Sequence, residues 1–166
     1  MSKKFIALFA TVFLLLFFHS CKSPFSPISP TDIDALLSSP EQVEINSRRY
    51  TLETYLWRDF MPGDSPPDGK PLIALIRIIA IDLLPFPSTL DANRLWVING
   101  QEVWETEFSD EEIPTNPNRK HQLEKIARNG PKWGPGIYVD VVVRIIDYKN
   151  KTYLLKASNQ YIGRTD

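Results

Sequence analysis

The sequence predicts an all-β domain, an antiparallel sandwich of two sheets, on three observations. Residues 41–166 contain several short runs in which apolar and polar residues alternate with period 2, the mark of half-buried strands. Asn99-Gly100 stands between two such runs, as a tight hairpin requires. The strand-like runs also follow one another without the intervening helical stretches of a parallel βαβ sheet.

Composition agrees with a single such domain. The chain has 166 residues, 43% of them hydrophobic and 23% charged, enough for one core. Fourteen prolines against seven glycines suit many turns and short strands. A formal net charge of −1 provides no basic footprint, so nucleic acid is not an expected partner.

Residues 1–20 read as an export signal. Lys3 and Lys4 form a basic start, and Phe5 to Phe18 is an uncharged apolar run. As a helix this run would rise about 21 Å, short of the ~30 Å hydrocarbon core of a bilayer. Phe18-His19-Ser20-Cys21 resembles the lipobox of bacterial lipoproteins, although His19 stands where that family has a small residue. The resemblance covers residues 1–21. It implies cleavage between Ser20 and Cys21, a diacylglyceryl group on the Cys21 sulfur, and acylation of the new α-amine with chains such as palmitate. It further implies a membrane-anchored, extracytoplasmic place in the bacterial cell envelope, on the outer membrane facing the periplasm in a Gram-negative source. Cys21 is the only cysteine of the chain, so no intrachain disulfide competes for it.

Residues 21–40 are expected to be a tether. Pro24, Pro27 and Pro30 recur every third residue among serines and favour extended polyproline II. Thr31 and Asp34 then resemble a capping box opening a short helix with Ile33, Leu36 and Leu37 on one side, ended by Ser38-Ser39-Pro40.

From residue 41 the expected strands are roughly 42–46, 49–58, 72–81, 94–98, 101–108, 137–147 and 152–157. In the second, Tyr50, Leu52, Thr54 and Leu56 share one face while Arg49, Thr51, Glu53 and Tyr55 share the other. Leu72 to Ile81 is apolar on both faces except at Arg77, as a central strand would be. A two-residue Asn99-Gly100 turn would set Arg94 opposite Glu105 and Leu95 opposite Trp104. Tyr148 to Lys151 marks a second hairpin. Residues 118–128 read as either a short helix or an eighth strand: Leu123, Ile126 and Ala127 have helical spacing, and Asn129-Gly130 would stop a helix. About seven antiparallel strands point to an immunoglobulin-like arrangement.

The residues that carry chemistry are few. After removal of the signal His121 is the only histidine, which excludes a multi-histidine zinc site, and a lipidated Cys21 leaves no thiolate. No nucleophile-elbow, zincin or phosphate-loop motif occurs. A carboxylate-based hydrolase survives as the least favoured reading, because two acids suffice for it. The expectation is a non-catalytic domain without a cofactor.

Asp59, Asp64 and Asp68 fall within ten residues of one another, so calcium is a weak reading for them beside their role as turn residues. Trp133 stands between glycine-proline pairs, where it would either stack on a sugar or a peptide proline or plug the end of the sandwich. Trp57 and Trp96 fall on strand faces opposite the core side. The leading expectation is therefore a lipid-anchored interaction domain for envelope proteins or glycans, and the alternative is a carbohydrate- or peptide-binding module using loop aromatics around Trp133, with Trp57 and Trp96 as further candidate binding residues.

Overall fold

A computed structural model describes residues 30–111 and 117–166. The export signal, Ser20, Cys21 and the first prolines of the tether lie outside the described residues. The described chain is mostly strand: α1 (Pro30–Leu37), β1 (Gln42–Ile45), β2 (Arg48–Asp59), β3 (Leu72–Ala80), β4 (Leu90–Asn99), β5 (Glu102–Thr106), a helical turn Pro117–Arg119, β6 (Gln122–Gly130), β7 (Tyr138–Asp147) and β8 (Thr152–Thr165). The all-β class is therefore observed. No helix among the described residues is long and apolar enough to cross a membrane.

The strands form one mixed, strongly curled sheet in the order β5-β4-β7-β8-β2-β3-β6, with β1 added to β2. Two expectations are corrected. The short helix considered at 118–128 does not form, and its alternative, an eighth strand, does: Gln122–Gly130 is strand β6, paired antiparallel to β3. The pairing is also not antiparallel throughout, since β2 runs parallel to β8 from Leu56↔Ile162 to Asp59↔Thr165.

Both corrections trace to asparagine. Asn129 has φ +64°, and the β3–β6 register shifts where Leu72 pairs with Gly130. A left-handed Asn before Gly ends a helix or bulges a strand equally well, and the apolar residues on both faces of β6 imitated helical spacing. Asn159 has φ +57° where the β7–β8 register gains one residue, between Val141↔Ala157 and Val139↔Gln160. Its amide donates to Asp140 Oδ1 at 3.0 Å. Such a bulge bends and twists its strand. Past it, β8 carries on to pair with β2, and this turns the sheet through its corner.

The Asn-Gly hairpin forms one residue later than expected. Asn99 pairs with Glu102, so the central residues are Gly100 and Gln101, and Val97 faces Trp104. Of the two central residues only Gly100 has positive φ, at +61°, which is the type II′ pattern rather than I′. Because the slip amounts to two residues in register, every side chain keeps its face.

One core fills the curl. Leu52, Leu56, Ile76, Ile78, Leu95, Val97, Val141, Val143, Ile145, Leu155 and Ile162 are buried in it. The far seam closes where the Ser109 amide donates to Ile126 O at 2.9 Å. A smaller cluster lies on the outer side of β4, β7 and β8, where Ile33 and Leu36 of α1 are buried against Ile98 and Val142, with Trp96 and Leu154 beside them. The Lys156 ammonium donates to Leu37 O at the C-terminal end of α1. Helix α1 is thus packed on the sheet.

A left-handed residue that is β-branched costs about 1–2 kcal/mol, whereas Gly adopts it freely. Thermal melting should therefore show Asn159→Val destabilised by roughly that amount and Asn159→Gly near wild type. Equal stability in the two variants would remove the bulge from its role at the corner.

Candidate functional site

An exposed aromatic surface is assembled across three strands. On β2 the core face carries Leu52, Thr54 and Leu56, so Glu53, Tyr55 and Trp57 point outward. Thr54 Oγ1 bonds Gln160 Oε1 at 2.6 Å, and Leu56 pairs with Ile162. Tyr161 therefore lies beside Tyr55 on the same outer face, and the next strand places Tyr138 opposite Tyr161. Tyr138, Tyr161 and Tyr55 are 60%, 54% and 51% exposed. Ring centroids are 5.4 Å apart for Tyr138–Tyr161 and 5.0 Å for Tyr55–Trp57.

The result is a row of four aromatic rings. Trp57 is half-buried, and its lateral neighbour on β8 is Gly163, whose missing side chain leaves that side of the row low. Ile73 and Leu75, opposite Trp57 and Tyr55 on β3, extend the surface. Further along the same face Arg77 Nε donates to Glu124 Oε1 at 3.0 Å, a polar border. Aromatic rings with hydroxyl tips give large, stiff contact area at low conformational cost, suited to a protein segment or a sugar ring.

The three tryptophans singled out in the sequence do not come together. Trp57 joins the row. Trp96 faces outward as expected but lies half-buried in the cluster under α1. Trp133 is half-buried against the main core, in the plug position rather than the stacking one. The row instead uses Tyr55, Tyr138 and Tyr161, of which sequence reasoning placed only Tyr55 on an outer face.

Trp133 is held there by a buried cation. Arg58 is 3% exposed. Its Nη1 donates to Lys132 O at 3.0 Å and to Gly134 O at 2.8 Å, its Nε to Lys70 O at 2.9 Å, and its Nη2 to Asp68 O. The guanidinium also lies 5.0 Å from the Phe60 ring centroid, with Arg164 at 4.2 Å. Gly69, at φ +75°, lets that ring approach, since an added Cβ would come within 2.5 Å of it. One side chain thus ties the β2–β3 loop and the β6–β7 loop together through their carbonyls.

The aspartates of the β2–β3 loop surround this knot. Lys70 pairs with Asp59 at 3.1 Å and also with Asp64, and Lys132 pairs with Asp68 at 2.6 Å. Hydrogen bonds lower two of their pKa values: Met61 N–H and then Lys70 act on Asp59, and Lys132 acts on Asp68. Each of the three carboxylates is engaged by a lysine rather than converging on a shared centre, and among the described residues no three acidic, histidine or cysteine side chains are grouped to hold a metal.

A polar cleft of about 360 Å³ lies at the far seam, lined by Asp91, Asn93, Glu107, Ser109, Asp110 and Lys125 among others. Asp91 is bonded to Lys125 at 2.7 Å and Glu107 to Arg94 at 3.1 Å. Ser109 Oγ donates to Ile126 O at 3.1 Å. Two of its acids are thus tied to cations and its hydroxyl to a carbonyl. His121 sits at the start of β6, its carbonyl accepting from Ala80 N. No family model, curated protein or solved structure matches the chain.

Removing the buried guanidinium would strip four carbonyls of their shared donor. Arg58→Met should cost about 3 kcal/mol by denaturant or thermal melting, in line with the loss of charge-assisted bonds in a buried site. Arg58→Lys, lacking the planar fork, should recover only part of that. Wild-type stability in Arg58→Met would contradict the assignment.

Proposed function

We propose that the protein is a lipid-anchored cell-envelope lipoprotein whose β-domain is a non-catalytic interaction module. The observation that carries the binding role is the exposed row Tyr138–Tyr161–Tyr55–Trp57. Monomeric domains rarely leave large contiguous apolar surface in water, and Tyr and Trp are the residues that protein interfaces enrich. The partner class is an envelope protein segment or a glycan.

The anchoring rests on the lipobox resemblance at Phe18-His19-Ser20-Cys21 and on the short apolar run before it. The diacylglyceryl group would sit on Cys21, with residues 22–29 as the stand-off before α1. Several acyl chains on one residue make attachment stable, whereas a single chain binds only marginally.

The fold reading is immunoglobulin-like. Strand order supports it: β5-β4-β7-β8 on one side and β2-β3-β6 on the other follow the order of a variable-type four-stranded sheet and its partner. The B–F disulfide of antibody domains has no counterpart, since Val, Ile and Leu fill the core. Such frames present binding residues on faces as well as loops.

The binding role is tested by placing a photoreactive phenylalanine analogue at Tyr55 or Tyr161 in cells of the native host. Both positions should cross-link to the same partner, while the same analogue at Trp96, under α1, should not. Cross-linking at all three positions alike, or at none, would count against the row as the binding face. In the same preparation the mature chain should begin at an acylated Cys21, and an unmodified N-terminus there would refute the anchor while leaving the binding result standing.

A further inference from the structure

We propose that the end of the domain opposite the Arg58 knot docks on a lipid bilayer containing anionic headgroups. Residues 81–86, the first part of the link from β3 to β4, lie at this end and carry Leu83 and Leu84, which are 67% and 57% exposed. Their exposure is built in. Arg48 grips Asp82 through Nε and Nη2, each at 2.8 Å, and also donates to Leu84 O and Pro85 O at 3.1 Å. The Leu84 amide donates to Asp82 Oδ1 at 3.0 Å, and the Phe86 ring packs edge-on against Tyr50 at 5.5 Å.

Leu83 is held at φ +60°, a conformation that side-chain-bearing residues rarely adopt. A braced, strained turn that keeps two leucines in water points to an apolar phase outside the chain.

The neighbouring loops surround this tip with positive charge. Ile81 N donates to Arg49 O and Phe86 N to Lys120 O, and Leu90 pairs with Asp147, so residues 46–49, 119–121 and 147–151 adjoin it. Those segments and residues 81–86 hold six cations, Arg48, Arg49, Arg119, Lys120, Lys149 and Lys151, against two carboxylates, Asp82 and Asp147. Both carboxylates are committed, Asp82 to Arg48 and Asp147 Oδ1 to the amides of Lys149 and Lys151. Three further acids stand at the border: Glu44 opposite Arg49, Glu124, which Arg119 meets at 3.5 Å, and Asp91, next to Leu90, which Lys125 meets at 2.7 Å. Tyr148 is exposed beside the tip, with the Lys149 ammonium 5.2 Å from its ring.

Leucines at the point, a tyrosine at the shoulder and a collar of Lys and Arg match the layers of an anionic bilayer surface: acyl boundary, interface and phosphate. A protein partner would need roughly 800 Å² on this side, more than two leucines and a tyrosine offer. Docking here would leave the aromatic row about 30 Å from the bilayer, nine residues along β2 from Arg48 to Trp57. The inference goes beyond the proposed binding role and draws on the anchoring reading only in that a lipid on Cys21 would hold this end at high effective concentration near the membrane.

The test uses the full chain with an environment-sensitive fluorophore on Leu84→Cys, or on Met61→Cys at the opposite end. It is reconstituted with vesicles of phosphatidylethanolamine and phosphatidylglycerol, or of phosphatidylcholine alone. With phosphatidylglycerol the probe at residue 84 should shift to the blue and be quenched by nitroxide lipids, while the probe at residue 61 stays water-like. The shift should be lost in high salt and in the Lys120→Glu, Lys149→Glu, Lys151→Glu triple variant, whose circular dichroism verifies folding.

Water-like emission at residue 84 on phosphatidylglycerol vesicles would overturn the proposal, as would an equal shift on phosphatidylcholine. A shift without vesicles that grows with protein concentration would assign the tip to a second copy instead. The mass of the labelled protein reports separately on Cys21. Two probes per chain would mean a free thiol and a failed anchoring reading, and the docking measurement would then be read in a Cys21→Ser background.

Discussion

Everything else in the fold depends on β8 belonging to two neighbours at once. Its first half, from Thr152 to Ala157, pairs antiparallel with β7, and its last four residues, Ile162 to Thr165, pair parallel with β2. No other described strand joins the two halves of the curled sheet along this side. Hydrophobic burial supplies the driving force, but the backbone ladder of β8 decides where the halves meet, and the left-handed Asn159 lets one strand serve both.

The same strand makes the candidate site. Tyr161 touches Tyr138 across the β7 side and lies beside Tyr55 across the β2 side, so the aromatic row exists only while both pairings hold. Arg58 stands on the last stretch of that parallel pairing, opposite Arg164, and fixes the two loops below. The two ends of the domain are then unlike: one is tied shut by a buried cation, and the other holds leucines out on a braced turn. The row lies on the sheet face between them.

What was legible in the sequence was local. Period-2 alternation located β2, an unbroken apolar run located β3, and Asn99-Gly100 located the hairpin, since all three signals arise from neighbours a few residues apart. The Gly100-Gln101 turn differed from the expected Asn99-Gly100 by one position because either residue of the pair tolerates positive φ. The sequence left residues 118–128 between helix and strand for a related reason: Asn129-Gly130 has the chemistry of a helix stop and of a bulge alike. The parallel β2–β8 pair joins residues about a hundred positions apart and leaves no local trace. That is why Tyr138 and Tyr161 were not grouped with Tyr55 and Trp57, although the outward parity of Tyr55 and Trp57 on one strand was already a usable signal. Trp96 and Trp133 stand apart from the row for a different physical reason. Large aromatic area seeks cover wherever a helix or core edge offers it, as α1 does for Trp96 and the core rim for Trp133.

Native-state hydrogen exchange on the backbone amides of β8 tests the central claim most directly. If one strand closes both halves, the amides of residues 162–165 and their β2 partners should exchange through the same global opening as those of residues 152–157, with the same dependence on denaturant. Exchange of residues 162–165 by local fraying, at a much smaller free energy and without denaturant dependence, would show that the β2 half holds together without β8 and would contradict the account.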